Sequence, residues 1–422
     1  MMWDTATVQA HPVATAEQHE QERAAVELCE HSAVAEARAT VAADWLAKEQ
    51  PVACMRDCFE RAFEEVMFSA AMWSSNQDPL RPMVTCITRL EHPLNGLRIP
   101  GSRWGIDNPD SIYRVIPISG GERYEIRGRV GEHRMTENYF TLWDTQMGTE
   151  ALLNGTDLVT EPDGSFVVTV DAEPAAGRPN HVESNGRAHE FYIRDVLLNW
   201  ETDDPNWLEV VRLGPPPSAP PLTLQEQAGR TAEYMAKFAD FSHGLARGMT
   251  MGSPNRFHLG YSADKGGALR NQVYVGGHFL LEDDEAFVIH INDGGARYFT
   301  VPISNVWGTT MEIVHRTGSL NKAQSEPNPD GTWTFVVANT DPGVPNWVDA
   351  CGLSSGILTL RMAEFPDQRP AETLSAEGHL VKLSDLASVL PAGTREVTPA
   401  ERSAQLTARA TAYARRLPEP PA

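Results

Sequence analysis

A turn followed by a strand occurs twice in this sequence, and this pair of segments decides the fold. The two copies read Pro162-Asp163-Gly164-Ser165-Phe166-Val167-Val168 and Pro329-Asp330-Gly331-Thr332-Trp333-Thr334-Phe335. A Leu-Asn pair precedes the glycine of each copy at the same distance, at Leu153-Asn154 and at Leu320-Asn321. Pro-Asp-Gly is typical of a type I turn with a glycine exit, and Val, Phe and Thr favour a strand. Each copy is therefore predicted to be a turn that opens a β-strand.

Further matches on both sides of these turns occur in the same order and at nearly fixed spacing. They are Asn138-Tyr139-Phe140-Thr141-Leu142 with Arg297-Tyr298-Phe299-Thr300-Val301, Pro179-Asn180-His181 with Pro345-Asn346-Trp347, and the strands that carry Arg194 and Arg361. Ordered self-similarity of this kind indicates an internal duplication. Short β-rich runs separated by Gly and Pro are typical of antiparallel sandwiches. The sequence therefore predicts two tandem related antiparallel β-sandwich domains, of jelly-roll type, in a mainly β chain with helical additions.

The predicted helices lie around the two β regions. Apolar residues recur at helical spacing between positions 15 and 75, and a capping box at Thr398 and Glu401 begins a C-terminal helix. A proline-rich linker and a second helical run join the two β regions. The predicted divisions are a helical region (1–95), the first sandwich (96–214), the connector (215–260), the second sandwich (261–366) and a tail with a helix (367–422).

Composition excludes several classes of partner. The 422 residues include 57 acidic and 35 basic side chains, which gives a formal net charge of −22. Such a field repels nucleic acid and anionic membrane surfaces, so we expect neither as a partner. The chain has no run of apolar residues long enough for a membrane span. Five cysteines are an odd number and suit a reducing compartment, so a cytoplasmic location is expected.

The second repeat carries a pattern that resembles the bacterial domain-of-unknown-function 1214 family. Its residues are Ala296-Arg297-Tyr298-Phe299, Asn305-Val306-Trp307, the stretch 315–321, the stretch 341–349, Gly356 and Arg361. A looser copy, introduced by Asp107-Asn108-Pro109-Asp110 and Tyr113, precedes it in the first repeat. The resemblance covers about residues 100–365 and departs at His181, where the second repeat has Trp347. It implies a β-sandwich of jelly-roll type and no agreed activity.

Ten residues are candidates for a functional site. Those for acid–base work are Asp107, Asp349 and Tyr298. Those for substrate binding are Asn108, Tyr113, Arg316, Asn321, Asn346, Trp347 and Arg361.

Asp107 and Asp110 present two carboxylates with Tyr113 nearby, which suits proton transfer. Arginine binds a carboxylate or a hydroxyl-rich group bidentately, and tryptophan offers a stacking face. Arg194 and Arg361 lie on equivalent predicted strands and could share such a group. Each candidate also has a structural interpretation, since Asn, Asp and Pro build turns and paired arginines form salt-bridged faces.

Cofactor motifs are absent from the sequence. No phosphate-binding glycine loop, dinucleotide fingerprint or metal-ligating histidine spacing occurs, so no cofactor and no metal are expected. The favoured interpretation is a cofactor-independent hydrolase or lyase that acts on a small polyhydroxylated or partly apolar metabolite. Its site would lie between the two sandwiches or at the end of one. The alternative is a ligand-binding or scaffold protein without turnover, and a homo-oligomer stays open in both cases.

Overall fold

The computed structural model describes residues 11–261 and 272–417. Positions 1–10, 262–271 and 418–422, which fall in the predicted helical region, second sandwich and tail, lie outside this description. The α-helices of the described residues are α1 (Ala16–Glu30), α2 (Ser32–Glu49), α3 (Ala53–Asp57), α4 (Phe59–Ser75), α5 (Leu224–Thr250) and α6 (Pro399–Ala414). The prediction for the C-terminal helix is confirmed, because Thr398 caps α6 and forms the capping box with Glu401.

The strands divide between the two predicted β regions. The first set is β1 (Thr85–Cys86), β2 (His92–Leu94), β3 (Leu97–Ile99), β4 (Ser111–Pro117), β5 (Tyr124–Arg129), β6 (Glu137–Trp143), β7 (Thr149–Asn154), β8 (Ser165–Asp171), β9 (His181–Glu183), β10 (Glu190–Val196) and β11 (Trp207–Arg212). The second set is β12 (Arg256–Tyr261), β13 (Gln272–Leu280), β14 (Glu285–Asn292), β15 (Tyr298–Ser304), β16 (Ser319–Asn321), β17 (Trp333–Ala338), β18 (Trp347–Asp349), β19 (Ser355–Ala363) and β20 (Ser375–Lys382).

The two sets of strands form two sandwiches of the same topology, and β2 and β3 pair with each other in a separate hairpin. The first sandwich has a five-stranded sheet in the order β1-β4-β10-β6-β7 and a four-stranded sheet in the order β11-β5-β8-β9. The second has β12-β13-β19-β15-β16 and β20-β14-β17-β18. Each four-stranded sheet ends in a parallel pair, β8 with β9 and β17 with β18, and the other pairs are antiparallel. The predicted two-sandwich fold with a repeated topology is confirmed.

The strand register corrects one of the matches made on sequence. Arg194 on β10 pairs with Tyr113 and Tyr139, whereas Arg361 on β19 pairs with Tyr274 and Thr300. Tyr139 therefore corresponds in space to Thr300, two positions away from the residue with which the sequence match aligned it. A shift of two residues leaves every side chain on the same face of the sheet. The two strands therefore show a similar pattern of residue types even when they are aligned two residues out of register.

Each sandwich has its own apolar core between its two sheets. In the first, Phe140 and Phe191 of the five-stranded sheet pack against Phe166 and Val168 of the four-stranded sheet. The opposite faces of the two five-stranded sheets are turned toward each other, and Val196, Tyr298 and Ala363 meet there in one cluster. Consequently every residue of β4, β6 and β10 is buried.

The N-terminal helices and α5 cover one side of this double sandwich. Helix α5 packs against α2 and α4. Trp45 of α2 and Phe59 of α4 contact Trp307 of the second repeat, with ring centroids 5.4 and 4.6 Å apart. Trp45 and Phe59, which belong to the apolar residues that recur at helical spacing in the sequence, are thus buried within the chain.

Four strands lie wholly or largely outside the ranges predicted for the sandwiches, namely β1, β2, β12 and β20. Strand β1 pairs with β4 although it falls in the predicted helical region. Strand β20 pairs with β14 although the second sandwich was predicted to end at 366. Four of the eight residues of β20 are exposed and the others are half-buried, which is typical of an edge strand, and such a strand has too few apolar residues to stand out in a sequence.

Candidate functional site

A cavity of about 280 Å³ lies between the two five-stranded sheets and beneath α5. Strands β4, β6 and β10 supply one wall, β13 and β19 supply the opposite wall, and α5 supplies an apolar side. The polar lining residues are Thr88, Asp107, Asn108, Ser111, Tyr113, Glu137, Tyr192, Arg194, Gln272, Tyr274, Thr359 and Arg361. Four of the ten residues predicted from sequence are in this lining: Asp107, Asn108, Tyr113 and Arg361.

Two arginines on equivalent strands face this cavity from opposite walls. Arg194 and Arg361 are each 8% exposed. The Arg194 guanidinium lies 4.6 Å from the ring centroid of Tyr192, a cation–π distance. Arg361 donates from Nη2 to the carbonyl oxygen of Ile106, while its Nη1 has no hydrogen-bond partner among the described residues. The cavity is therefore cationic on two sides.

Glu137 at the start of β6 is the acidic group of the cavity whose titration is most perturbed. Burial raises the pKa of Glu137 to about 8, helped by the charge of Glu364 and opposed by the two arginines. Gln272 donates from Nε2 to Glu137 Oε1, and Tyr274 donates from its hydroxyl to Gln272 Oε1 at 2.6 Å. Glu137 Oε2 is buried without a partner in the described part of the chain. At neutral pH this carboxyl group is mostly protonated.

The other side of the cavity is apolar. Trp104 and Trp143 lie in its wall, and α5 contributes one face of its last turns. The residues of that face are Phe241, Leu245 and Met249. The Trp143 ring stacks on Tyr192 with centroids 4.2 Å apart, and Trp104 contacts Phe241 at 5.3 Å. The site is thus amphipathic, since charged side chains and flat aromatic surfaces share its lining.

The segment Asp107–Asp110 joins the two sandwiches beside the cavity. Asp107 accepts hydrogen bonds from the backbone nitrogen and the hydroxyl of Thr310, both at 2.8 Å. Burial raises the pKa of Asp107, and Arg103 and Thr310 oppose this change. Asn108 Oδ1 accepts from the backbone nitrogen of Asp110 at 3.1 Å, which is the Asx turn that the alternative interpretation predicts. Tyr113 accepts from the backbone nitrogen of Asn108 at 3.0 Å.

Tyr298 and Asn321 lie directly behind this segment and bond to it. Asn108 donates from Nδ2 to the Tyr298 hydroxyl at 2.8 Å, and that hydroxyl donates to Asp110 Oδ2 at 2.8 Å. Asn321 donates from Nδ2 to Asp110 Oδ1 at 2.8 Å. Both residues therefore position the bridging segment and do not line the cavity.

The remaining four predicted site residues lie together, but away from the cavity. Asp349 accepts from Nε and Nη2 of Arg316, at 2.7 and 2.8 Å, in a bidentate pair. Asn346 donates to the carbonyl oxygens of Glu326 and Thr334 and accepts from the Glu326 backbone nitrogen.

Trp347 belongs to a cluster on the outer face of the second four-stranded sheet. It donates from Nε1 to the carbonyl oxygen of Ala338 at 2.9 Å, and Arg402 covers its ring. The structure thus splits the predicted set into a group at the cavity and a group that builds turns and an outer sheet face.

Sequence reasoning missed Glu137, Tyr192, Gln272 and Tyr274. One signal for two of them was available, because Gln272-Val273-Tyr274 corresponds to Ser111-Ile112-Tyr113 at the start of equivalent strands. For Glu137 the signal was an acidic residue at the first position of a strand that is otherwise buried.

These features define a class of protein: a double β-sandwich with a polar cavity between its two halves. No family model and no curated protein matches the chain. A solved structure of an uncharacterised protein from Burkholderia cenocepacia has the same fold, with a TM-score of 0.72 and 22% identity over 88% of this chain and 99% of that one. A structure from Vibrio parahaemolyticus gives a TM-score of 0.44 and 14% identity over 78% of this chain and 100% of its own.

Among residues 11–261 and 272–417, no helix combines the length and the apolar character that crossing a membrane requires.

Proposed function

We propose that this chain is a cofactor-independent enzyme and that its substrate is a small, partly apolar molecule held in the central cavity. One observation carries the proposal: a buried carboxyl group, Glu137, has a pKa raised to about 8 and shares the cavity with two arginines. A carboxyl group with a pKa near neutrality both donates and accepts protons at the pH of the cell. Strongly perturbed titration inside a cavity is the property expected of an acid–base residue.

The hydrogen bonds around Glu137 indicate which of its oxygens carries the proton. Oε1 accepts from the amide of Gln272, whose own oxygen accepts from Tyr274. Because Oε1 acts as an acceptor, the proton of the neutral acid lies on Oε2. That oxygen has no protein partner in the described residues, and Glu137 is a lining residue of the cavity. Glu137 Oε2 is therefore the atom that exchanges a proton with the substrate.

The lining residues favour a lyase over a hydrolase that forms a covalent intermediate. No histidine, cysteine or lysine is among the described residues of the cavity wall. A nucleophilic hydroxyl needs such a base beside it, and Ser111 has none there. The second carboxylate, Asp107, accepts on both oxygens from Thr310. One acid–base group suits an elimination in which the ionised fraction of Glu137 takes a proton from carbon. The C–H electron pair forms a double bond and expels the leaving group, and the same carboxyl group gives the proton to that leaving group; the reverse sequence is an addition.

The test compares the purified protein with its Glu137→Gln variant on an extract of small metabolites. Mass spectrometry follows which molecules disappear and which appear. We expect the wild type to convert at least one small molecule and the variant to be at least about a hundredfold slower, the usual contribution of an acid–base group. Glu183→Gln, at an exposed position of β9, is the matched control and should keep the wild-type rate.

Two other outcomes would change the conclusion. Equal turnover by Glu137→Gln and the wild type would remove Glu137 from the chemistry. A molecule that stays bound through purification but is never converted would favour the alternative, a ligand-binding protein without turnover, which uses the same cavity.

A further inference from the structure

We propose that the substrate is a monocarboxylic acid with a flat apolar body, and that its carboxylate binds between Arg361 and Arg194. This inference rests on the proposed function of the same cavity and names the chemical class of its substrate. It follows from three features of the site: its net charge, the hydrogen-bonding capacity of its wall and its size.

The charges of the cavity call for a single negative charge. Arg194 and Arg361 bring two positive charges, each on a side chain that is only 8% exposed. Asp107 brings one negative charge when ionised, and Glu137 is mostly neutral near pH 7 because burial disfavours its anion. Of these groups, Arg361 Nη1 is a buried donor without a hydrogen-bond partner in the described ranges. A buried charge is stable only when it is paired, so an anion complements this site better than a neutral molecule, whereas the second charge of a dianion would be buried against the apolar side chains of the wall.

The unpaired hydrogen-bonding groups of the wall favour a ligand that accepts hydrogen bonds. Arg361 Nη1, Ser111 Oγ and Thr359 Oγ1 are buried and have no hydrogen-bond partner within the described ranges. All three residues line the cavity, as does Glu137, whose partnerless Oε2 carries the proton of the neutral acid. The arginine nitrogen can only donate, and the hydroxyl groups can also donate. Leaving such groups unpaired is costly, and a carboxylate satisfies several of them at once through its two oxygens.

The positions of these groups put the carboxylate against the second repeat. Thr359 and Arg361 are two residues apart on β19, so their side chains are on the same face of the sheet. Arg194 faces them from β10 of the first repeat. A carboxylate between the two guanidinium groups is bonded from both halves of the chain and lies near Glu137.

The apolar residues of the lining fit a flat apolar body. Trp104, Trp143 and Phe241 contribute aromatic rings, and Leu245 and Met249 of α5 add aliphatic surface. The volume of about 280 Å³ lies just below the range for small-molecule sites, roughly 300–1,000 Å³. A small aryl or short alkyl acid fits this space, whereas a nucleotide or an oligosaccharide is too large.

The experiment uses matched pairs of probes on the full chain: benzoate with benzamide, phenylacetate with phenylacetamide, and succinate as the dianion. Binding is measured by isothermal titration calorimetry. We expect benzoate or phenylacetate to bind saturably and at least tenfold more tightly than its amide, and also more tightly than succinate. Arg361→Met should weaken that binding at least tenfold, and Arg361→Lys, which keeps the charge, should weaken it less. Arg129→Met, at the exposed end of β5, is the control and should bind as the wild type does.

The wild-type comparison keeps the proposal falsifiable even if an Arg361 variant does not fold. Amides that bind as tightly as the carboxylates, or carboxylates that do not bind saturably in the millimolar range, would overturn the substrate class. Neither result bears on the assignment of Glu137, which is tested separately by the turnover of its glutamine variant. Failure of the substrate class and failure of the proposed function are therefore distinguishable.

Discussion

Replacing Glu137 with glutamine should make the stability of the protein less dependent on pH. Glutamine has nearly the same shape and keeps a hydrogen-bonding group next to Gln272, but it does not titrate. In the wild type, burial raises the pKa of Glu137 from its ordinary value of 4.5 to about 8. Between these two values the unfolded chain has lost a proton that the folded chain retains. The stability of the wild type therefore falls as the pH rises through this window.

The size of the effect follows from the difference between the two pKa values. One pKa unit is worth about 1.4 kcal/mol, so the full window sets an upper limit of roughly 5 kcal/mol. Relaxation of the folded protein around a buried charge lowers this figure. We expect the variant to gain at least about 2 kcal/mol relative to the wild type between about pH 5 and about pH 8. Below about pH 4.5 the acid is protonated in both states and the gain disappears.

Urea denaturation followed by tryptophan fluorescence, repeated across this pH range, measures the effect as the difference between variant and wild type. The ten tryptophans of the chain supply the signal. The free energy of unfolding of Glu183→Gln, at an exposed position of β9, should change with pH as that of the wild type does. If that of Glu137→Gln did so too, Glu137 would titrate as an exposed acid does, and both its protonation and its assignment as the acid–base group would be refuted.

Three further substitutions test the parts of the structure that surround the site. Tyr298→Phe removes the hydroxyl that joins Asn108 and Asp110, so we expect a loss of about 1–3 kcal/mol in the free energy of unfolding, measured by urea titration. Trp347→Ala should cost about 3–5 kcal/mol in the same assay, because it empties a buried position under Arg402. Removing the Arg316–Asp349 pair with Arg316→Ala should cost about 1–3 kcal/mol although this arginine is 42% exposed, because the Asp349 side chain is 4% exposed and loses its bidentate partner. No measurable loss would mean that the pair acts as a surface salt bridge.

The fold was largely predictable because its main signal is repeated. Turn residues at Pro162-Asp163-Gly164 and Pro329-Asp330-Gly331 open strands β8 and β17 in both halves. The edge strand β20 was missed because an edge strand needs few apolar residues. The sequence match aligned β6 with β15 two residues away from their true correspondence, because a shift of two residues preserves the alternating pattern of residue types in a strand.

The candidate site was only partly predictable, for two physical reasons. Asn346 and Asp349 have the residue types of a polar site, but Asn and Asp also satisfy the amides and carbonyls of a turn, and the sequence does not distinguish these roles. Glu137 was missed because its properties come from burial between two sheets that are far apart in sequence. Arg194 and Arg361 were noticed as a pair on equivalent strands, but that they face one cavity depends on how the two sandwiches meet.

Glu137 and Tyr298 occupy equivalent positions in the two repeats but have different chemistry. Both residues lie at the first position of equivalent strands, and both are buried, yet only one of them is an acid. Two identical subunits arranged in this way would have to place the same side chain at both positions. Glu137 is close enough to Tyr298 to affect its titration, so two glutamates at these positions would repel each other and change each other's pKa. Because the two halves belong to one polypeptide, their sequences can differ at this position. The first half has Glu137, which carries a proton, and the second half has Tyr298, which positions the segment Asp107–Asp110.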